Sequence, residues 1–384
     1  MLRLRAMPAP DLHSLLGRRS ARAFLTRHWQ REALLLRDAV PQFDGVFSRD
    51  DLTALAGRDD VESRLVVRTG SRYSLEHGPF ARATFKRLPA RGWTLLVQGA
   101  NLHSDDADAL LRRFAFIPYA RLDDLMVSYA APGGGVGPHF DSYDVFLLQG
   151  FGRRRWRYGR QADLALRPGL AVKILRKFEP AHDEILGPGD MLYVPPNVAH
   201  DGIAIDACTT YSIGFRAATH TELAQNFLDY LRDRVELAGR YADDGLRVTA
   251  EPARIGKAMQ RHAARELAKV RWPAAAVERF LGAFLSEPKP AVVFEPPPHP
   301  MSMPRFAAAI ANRGIRLDRR TQLLYDDVAL YMNGEARPWS RGSRLALQRL
   351  ANGRALSAKD AKRLTSGIIS ILHADYENGY LHPG

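Results

Sequence analysis

The residues best suited to chemistry are a histidine and an aspartate two positions apart, His139-Phe-Asp141, and a histidine much further on, His200. Two imidazoles and one carboxylate on a rigid β scaffold grip one face of an ion. Three octahedral positions then stay open, the arrangement that iron(II) uses to take a chelating co-substrate and O2. The spacing of two has a geometric reason, since residues i and i+2 of an extended strand point to the same side. The pattern is weak alone, because His103-Ser-Asp105 and His373-Ala-Asp375 also match it. Context separates the three. His103 stands in a polar stretch leading into a helix, where Ser104 or Asp105 serves as a cap, and His373 closes a helical pattern in which spacing two diverges. His139 follows a strand and the glycine-rich turn Pro132-Gly-Gly-Gly-Val-Gly-Pro138, and His200 follows a strand and a Pro195-Pro196 bend. On spacing alone, this triad competes with an ordinary structural reading of all three residues.

A dicarboxylic oxo acid filling the open positions needs a cation deeper in the scaffold for its far carboxylate, and arginine's planar fork suits that task. In Arg153-Arg-Arg-Trp-Arg-Tyr158, strand alternation groups Arg154 with Trp156 and Tyr158. Burying the aromatics carries Arg154 inward and leaves Arg153 and Arg155 outward. The competing reading has every arginine of this run solvated or facing RNA.

The elements that position these groups follow from hydrophobic period. From about residue 33 to 216 the signals are short strands between Gly and Pro turns: Ser63 to Arg68, Trp93 to Val97, Leu125 to Ala130, Asp144 to Gln149, Arg153 to Tyr158, Met191 to Val194 and Thr209 to Phe215. The Gly150-Phe-Gly152 turn predicts a hairpin between two of them. A helix is expected from a Ser48 cap. An all-β barrel or sandwich is the implied architecture. At Thr219 the period changes: Thr219-His-Thr-Glu222 is a capping box, and Leu223, Phe227, Tyr230 and Leu231 recur at helical spacing. Further apolar stripes are Ile255, Met259, Ala263, Leu267, Val270 and then Val277, Phe280, Leu281, Phe284, and they must meet the barrel or a second subunit. Seven prolines between Ser286 and Pro304 mark a semi-rigid linker. The remainder forms a small module with helices expected over 343–351 and 357–373. The reading is therefore 1–216 barrel, 217–286 helical region, 287–304 linker and 305–384 terminal module.

The 384 residues carry 55 Lys and Arg against 42 Asp and Glu, a formal charge of +13. That balance favours work near polyanions such as ribosomal RNA, although a GC-rich genome enriches arginine as well. No apolar run has the length of a membrane span. The single Cys208 excludes a disulfide framework and a multi-cysteine zinc site and makes a cytoplasmic setting the default. Arg3 and Arg5 begin a basic N-terminal stretch, which we do not read as a transit peptide. Cys208, Trp272, His77, His182 and His262 are read as structural.

Taken together, Ser128 to Phe146 with its Gly-rich turn and His139-Phe-Asp141, then Gln149-Gly-Phe-Gly-Arg-Arg-Arg-Trp156 and Gly189-Asp-Met-Leu-Tyr-Val-Pro-Pro196, resemble the bacterial branch of the JmjC-type ribosomal oxygenases. The resemblance extends from His28-Trp-Gln to Arg216. It implies a mixed fold, mainly β: a double-stranded β-helix of cupin type, then a helical dimerisation region and a winged-helix-like module. It further implies an iron(II)- and 2-oxoglutarate-dependent homodimeric hydroxylase that 3-hydroxylates an arginine of large ribosomal subunit protein number sixteen. By that carry-over His139, Asp141 and His200 bind iron, and Arg154, helped by Ser128, binds 2-oxoglutarate. Residue chemistry alone leaves a histidine target open, and also a silent cupin that binds nucleic acid through its terminal module. The intact triad together with Arg154 disfavours the silent form. Enzyme and substrate are both basic, so acids such as Asp123, Asp124 and Asp144 are expected at the mouth unless RNA participates. The 133–137 glycines border the metal and either admit a peptide backbone or make a plain turn. Tyr143 and Gln149 touch substrate or pack in strands.

Overall fold

The computed structural model describes residues 15–70, 72–339 and 342–384, so the N-terminal Arg3 and Arg5 lie outside the described residues. Eleven strands build the first unit: β1 (Leu34–Leu36), β2 (Ser63–Thr69), β3 (Arg72–His77), β4 (Trp93–Val97), β5 (Leu122–Ala130), β6 (Val145–Gln149), β7 (Arg154–Gly159), β8 (His182–Leu186), β9 (Met191–Val194), β10 (Ala199–Ala204) and β11 (Cys208–Phe215). They form an antiparallel eight-stranded sheet, ordered β1-β9-β6-β11-β5-β4-β2-β3, and a three-stranded sheet, β10-β7-β8. This is the expected cupin barrel.

The larger sheet is covered on both faces, which explains why β4, β6 and β9 are buried throughout rather than alternating. Its outer face holds the main core, where Phe24, Phe114, Phe146, Tyr193, Tyr211 and Phe215 pack under the N-terminal helices. Its inner face meets the small sheet through Val145, Leu147, Leu192 and Val194 against Trp156, Tyr158 and Leu186. The Ser48 helix is present as Arg49–Leu55 with a full capping box.

The expected hairpin is a corner instead. β6 pairs with β9 and β11, whereas β7 pairs with β8 and β10, so Gly150-Phe-Gly152 carries the chain from one sheet to the other. The glycines are required by contact: a Cβ at Gly150 would lie 2.3 Å from the Thr209 hydroxyl, and one at Gly152 2.2 Å from the Ala207 carbonyl oxygen.

Beyond the barrel, Thr219 caps the helix His220–Arg232 with its box intact. The helices Lys257–Leu267 and Ala274–Ser286 follow, and Leu228, Ile255, Met259 and Leu267 remain exposed. Gly282 of the last helix lies against the ring of Tyr331, fastening that helix to the terminal module. The module is a winged helix built on Phe306, Leu350, Leu372 and Tyr376, with a wing of strands Leu323–Tyr325, Ala329–Met332 and Glu335–Pro338. The helix expected over 357–373 is broken in two. Ser357 caps a single turn, Ala358–Ala361, and Thr365 in extended conformation starts Ser366–Glu377.

Candidate metal and co-substrate site

His200 opens β10, and the chain leading from the Gly-rich turn runs beside it, so that His139 and His200 exchange backbone hydrogen bonds of 3.0 and 2.8 Å. The two imidazoles therefore lie side by side, ring centres 4.3 Å apart. The glycines earlier in the turn make this approach possible. A Cβ on Gly134 would sit 2.2 Å from the Trp93 carbonyl oxygen, and one on Gly135 2.5 Å from that of Gly202. At Gly134 and Gly135 the space that a side chain would take is filled by the protein's own backbone, which agrees with a plain turn and gives no opening there for a substrate peptide.

One ligand atom from each of His139, Asp141 and His200 falls within 4.8 Å of the others, and His200 Nε2 is 3.7 Å from an Asp141 oxygen. Each imidazole is oriented by a carbonyl two residues back. His139 Nδ1 lies 2.8 Å from the Gly137 oxygen and His200 Nδ1 3.0 Å from the Val198 oxygen. A carbonyl only accepts, so Nδ1 holds the proton and Nε2 presents its lone pair to the shared space. Burial, with a smaller push from His139, drives the His200 imidazole down to about 4 against the pull of Asp141, which keeps it neutral and ready to ligate. The donor set of two nitrogens and one carboxylate oxygen fits an iron(II) centre of open face.

Deeper in the barrel, four residues along β7 and β10 from the triad level, Arg154 is 5 % exposed. Its Nη1 donates a long 3.4 Å bond to the Ser128 hydroxyl, while buried Nε and Nη2 have no partner among the described residues. A buried guanidinium with bare N–H groups is costly by itself and complementary to a carboxylate, which is the fit that a dicarboxylic co-substrate requires. Its neighbours behave as the alternation predicts: Arg153 and Arg155 face outward and pair with Asp206 and Asp183. Trp156 packs its ring on Gly202, and its centre stands 6.0 Å from that of His200.

The other two His-x-Asp matches are not brought to this centre. Ser104 caps the helix Asp105–Arg112, and His373 sits within Ser366–Glu377. Of the acids expected at the mouth, Asp144 does not line it. It is fully buried and accepts from the Tyr193 hydroxyl at 2.5 Å and from Gln30 at 3.1 Å. Asp124 does face inward, because β5 alternation puts Asp124, Met126 and Ser128 on one side, and burial together with Asp141 and Asp124 pushes up the half-exposed Tyr143 phenol beside it. Gln149 is not free for a substrate, since its amide donates to the Phe151 and Gly152 carbonyls of the corner and accepts from Thr210. Sequence reading gave no weight to Gln98 and Lys289, which bond Asp124; Lys289 is 165 positions from it, and only the flanking prolines set that lysine apart.

Sequence comparison identifies a JmjC domain over residues 109–223 and a ROXA-like winged helix over 269–382. The chain is 37 % identical over 344 residues to the ribosomal protein uL16 3-hydroxylase of Escherichia coli K12, covering 88 % of this chain and 90 % of that one. The chain belongs to the JmjC-type ribosomal oxygenases. A probable ribosomal oxygenase of Haemophilus influenzae is 40 % identical over 197 residues, half of this chain and 48 % of its own length. The X-ray structure of E. coli YcfD superposes with a TM-score of 0.82 at 32 % identity, over 95 % of this chain and 98 % of that one. A structure of the ribosomal oxygenase YcfD in complex with cobalt and 2-oxoglutarate matches with a TM-score of 0.79 at 32 % identity, covering 94 % and 97 %. Among the described residues no helix is long and apolar enough to cross a membrane.

Proposed function

We propose that this ribosomal oxygenase is an iron(II)- and 2-oxoglutarate-dependent hydroxylase acting at C3 of an arginine side chain in the uL16 ribosomal protein. The observation that carries this reading is the clustered triad set above a buried guanidinium whose Nε and Nη2 have no partner among the described residues. Iron(II) with 2-oxoglutarate and O2 supplies the oxidising chemistry that inserts one oxygen atom into a C–H bond as the co-substrate loses CO2. His139, Asp141 and His200 hold the metal on one face. Arg154 and Ser128 fix the far carboxylate, and the apolar wall of Leu147, Trp156 and Leu192 excludes water from it. A C–H bond has no proton for a base to remove, so selectivity rests on holding the carbon in place.

Asp124 at the mouth, with Tyr143 beside it, offers a carboxylate and a ring face to a cationic side chain, which favours arginine over neutral histidine. The organisation proposed is 1–216 oxygenase, 217–286 dimerisation through the exposed helical stripes, 287–304 linker and 305–384 winged helix, in the cytoplasm. The excess of basic residues in the last unit suits ribosomal RNA contact.

The test is a mass-shift assay on peptides of ribosomal proteins with iron(II), 2-oxoglutarate and O2. One added oxygen on an arginine peptide is expected, together with loss of both product and bound metal in His139→Ala. Turnover of 2-oxoglutarate with no peptide modified defeats the substrate assignment, and no turnover despite bound iron defeats the enzymatic one.

A further inference from the structure

The segment that joins the helical region to the winged helix reaches back to the barrel mouth. Lys289 stands between Pro288 and Pro290, its carbonyl accepts from the Val292 amide at 2.9 Å, and its ammonium lies 2.9 Å from Asp124 and 3.0 Å from Asp123. Burial alone would push that ammonium down, yet the two carboxylates outweigh it and hold it above its ordinary value.

Asp124 is held by two donors, Gln98 and Lys289. Gln98 Nε2 donates to its two oxygens at 3.0 and 2.8 Å, and the amide's own orientation is fixed because Arg64 Nη2 donates to Gln98 Oε1 at 3.0 Å. Lys289 takes Oδ2, while Oδ1, which accepts from Gln98 alone among the described residues, is directed at Gly214. Gly214 sits at a bulge of β11 opposite β5, and within 4 Å of a Cβ built there the sole neighbour would be Asp124 Oδ1, at 3.9 Å. The carboxylate, 4 % exposed, thus lies on the inner side of the sheet with Met126 and Ser128 and turns Oδ1 towards the side-chain-free Gly214.

We infer that Lys289 is a positioning residue for substrate, acting through Asp124: the linker's ammonium, with Gln98, locks the carboxylate so that Oδ1 stands over Gly214 to receive the cationic group of the incoming side chain. This rests on the function proposed above. A free Asp124 next to Asp123 would be repelled from its neighbour and turn away, and the ordering would have to be regained on every binding event. The mouth of the oxygenase domain is in this way completed by a residue from outside that domain.

The test uses the full-length enzyme and compares Lys289→Met, Lys289→Gln and Lys289→Arg in initial-rate assays with the substrate peptide. The uncharged variants are expected to raise the peptide KM about tenfold with kcat within about twofold and the KM for 2-oxoglutarate unchanged, and Lys289→Arg restores the peptide KM. A lysine that merely ties the linker to the barrel predicts a lower melting temperature with an unaltered peptide KM, and that result overturns the inference. So does failure of arginine to rescue, or a fall in kcat equal to the loss in kcat/KM. Absence of peptide turnover in the wild-type enzyme overturns the proposed function itself, whereas wild-type turnover with an unchanged KM in both uncharged variants overturns this inference alone.

Discussion

Replacing Arg154 with methionine should move stability and affinity in opposite directions. In the protein by itself the guanidinium is buried with one long bond to Ser128, while Nε and Nη2 have no partners among the described residues. Each such group forfeits about 1–3 kcal/mol of hydration. Exchanging a buried ion for an apolar side chain of similar volume stabilises by about 1–4 kcal/mol where its charge is not well paired. Trp156, whose ring lies 5.6 Å from the guanidinium, returns part of that cost. We therefore expect Arg154→Met to stabilise the ligand-free protein by about 1–2 kcal/mol, a rise in Tm of about 2–6 °C. On the binding mode proposed above, the co-substrate's far carboxylate meanwhile loses a charge-assisted partner, a loss of about 3–5 kcal/mol. The KM for 2-oxoglutarate should then rise between about a hundredfold and several thousandfold. Thermal melts of the metal-free variants, with and without 2-oxoglutarate, and initial rates over a 2-oxoglutarate series measure both. A variant that melts below the wild type and keeps its KM within threefold would refute the reasoning and make Arg154 a structural cation.

Two further outcomes follow from local geometry. His103 is driven down to about 4, chiefly by burial and next by Arg58, so its folded pKa lies below the ordinary 6.5. The unfolded chain then binds the extra proton first, and stability must fall as pH drops from about 6.5 towards 4. Allowing for solvent screening, about 1 kcal/mol should be lost between pH 7 and 5, and urea midpoints of His103→Gln should show correspondingly less pH dependence. Gly134→Ala would press a methyl group to 2.2 Å from the Trp93 carbonyl oxygen, which cannot retreat without unpairing β4. A destabilisation of about 2–3 kcal/mol is expected, with weaker metal binding as the turn draws His139 from His200, read by denaturant titration and bound-metal analysis.

The triad was legible because strands have period two and because proline and glycine punctuate the chain around His139 and His200. Arg154 was legible for the same reason, its sign of burial being the aromatics at 156 and 158. The β6–β7 corner was not, since two strands joined by Gly-Phe-Gly look alike whether they pair with each other or with strands of two sheets. That choice is made by β9, β10 and β11, more than forty residues downstream. Asp144 reads as a surface acid until Tyr193 and Gln30 are folded over it. Lys289 reads as a linker charge, because the partner that gives it meaning belongs to another unit. In the terminal module the short wing strands fall below the length at which alternation can be recognised, and the break at Thr365 interrupts an otherwise continuous helical pattern.

The larger sheet divides the molecule's obligations between its two faces. Outside lies the aromatic core of Phe24, Phe146, Tyr193 and Phe215; inside lie Ser128, Met126 and Asp124. Because alternate residues of one strand serve opposite faces, each strand encodes two separable messages. Selection for thermal tolerance can rewrite Leu125, Val127 and Tyr129 of β5, while Asp124, Met126 and Ser128 stay under the control of substrate and co-substrate. Lineages of this enzyme at different temperatures should therefore diverge along the strands at every second residue, leaving the reaction unaltered between them.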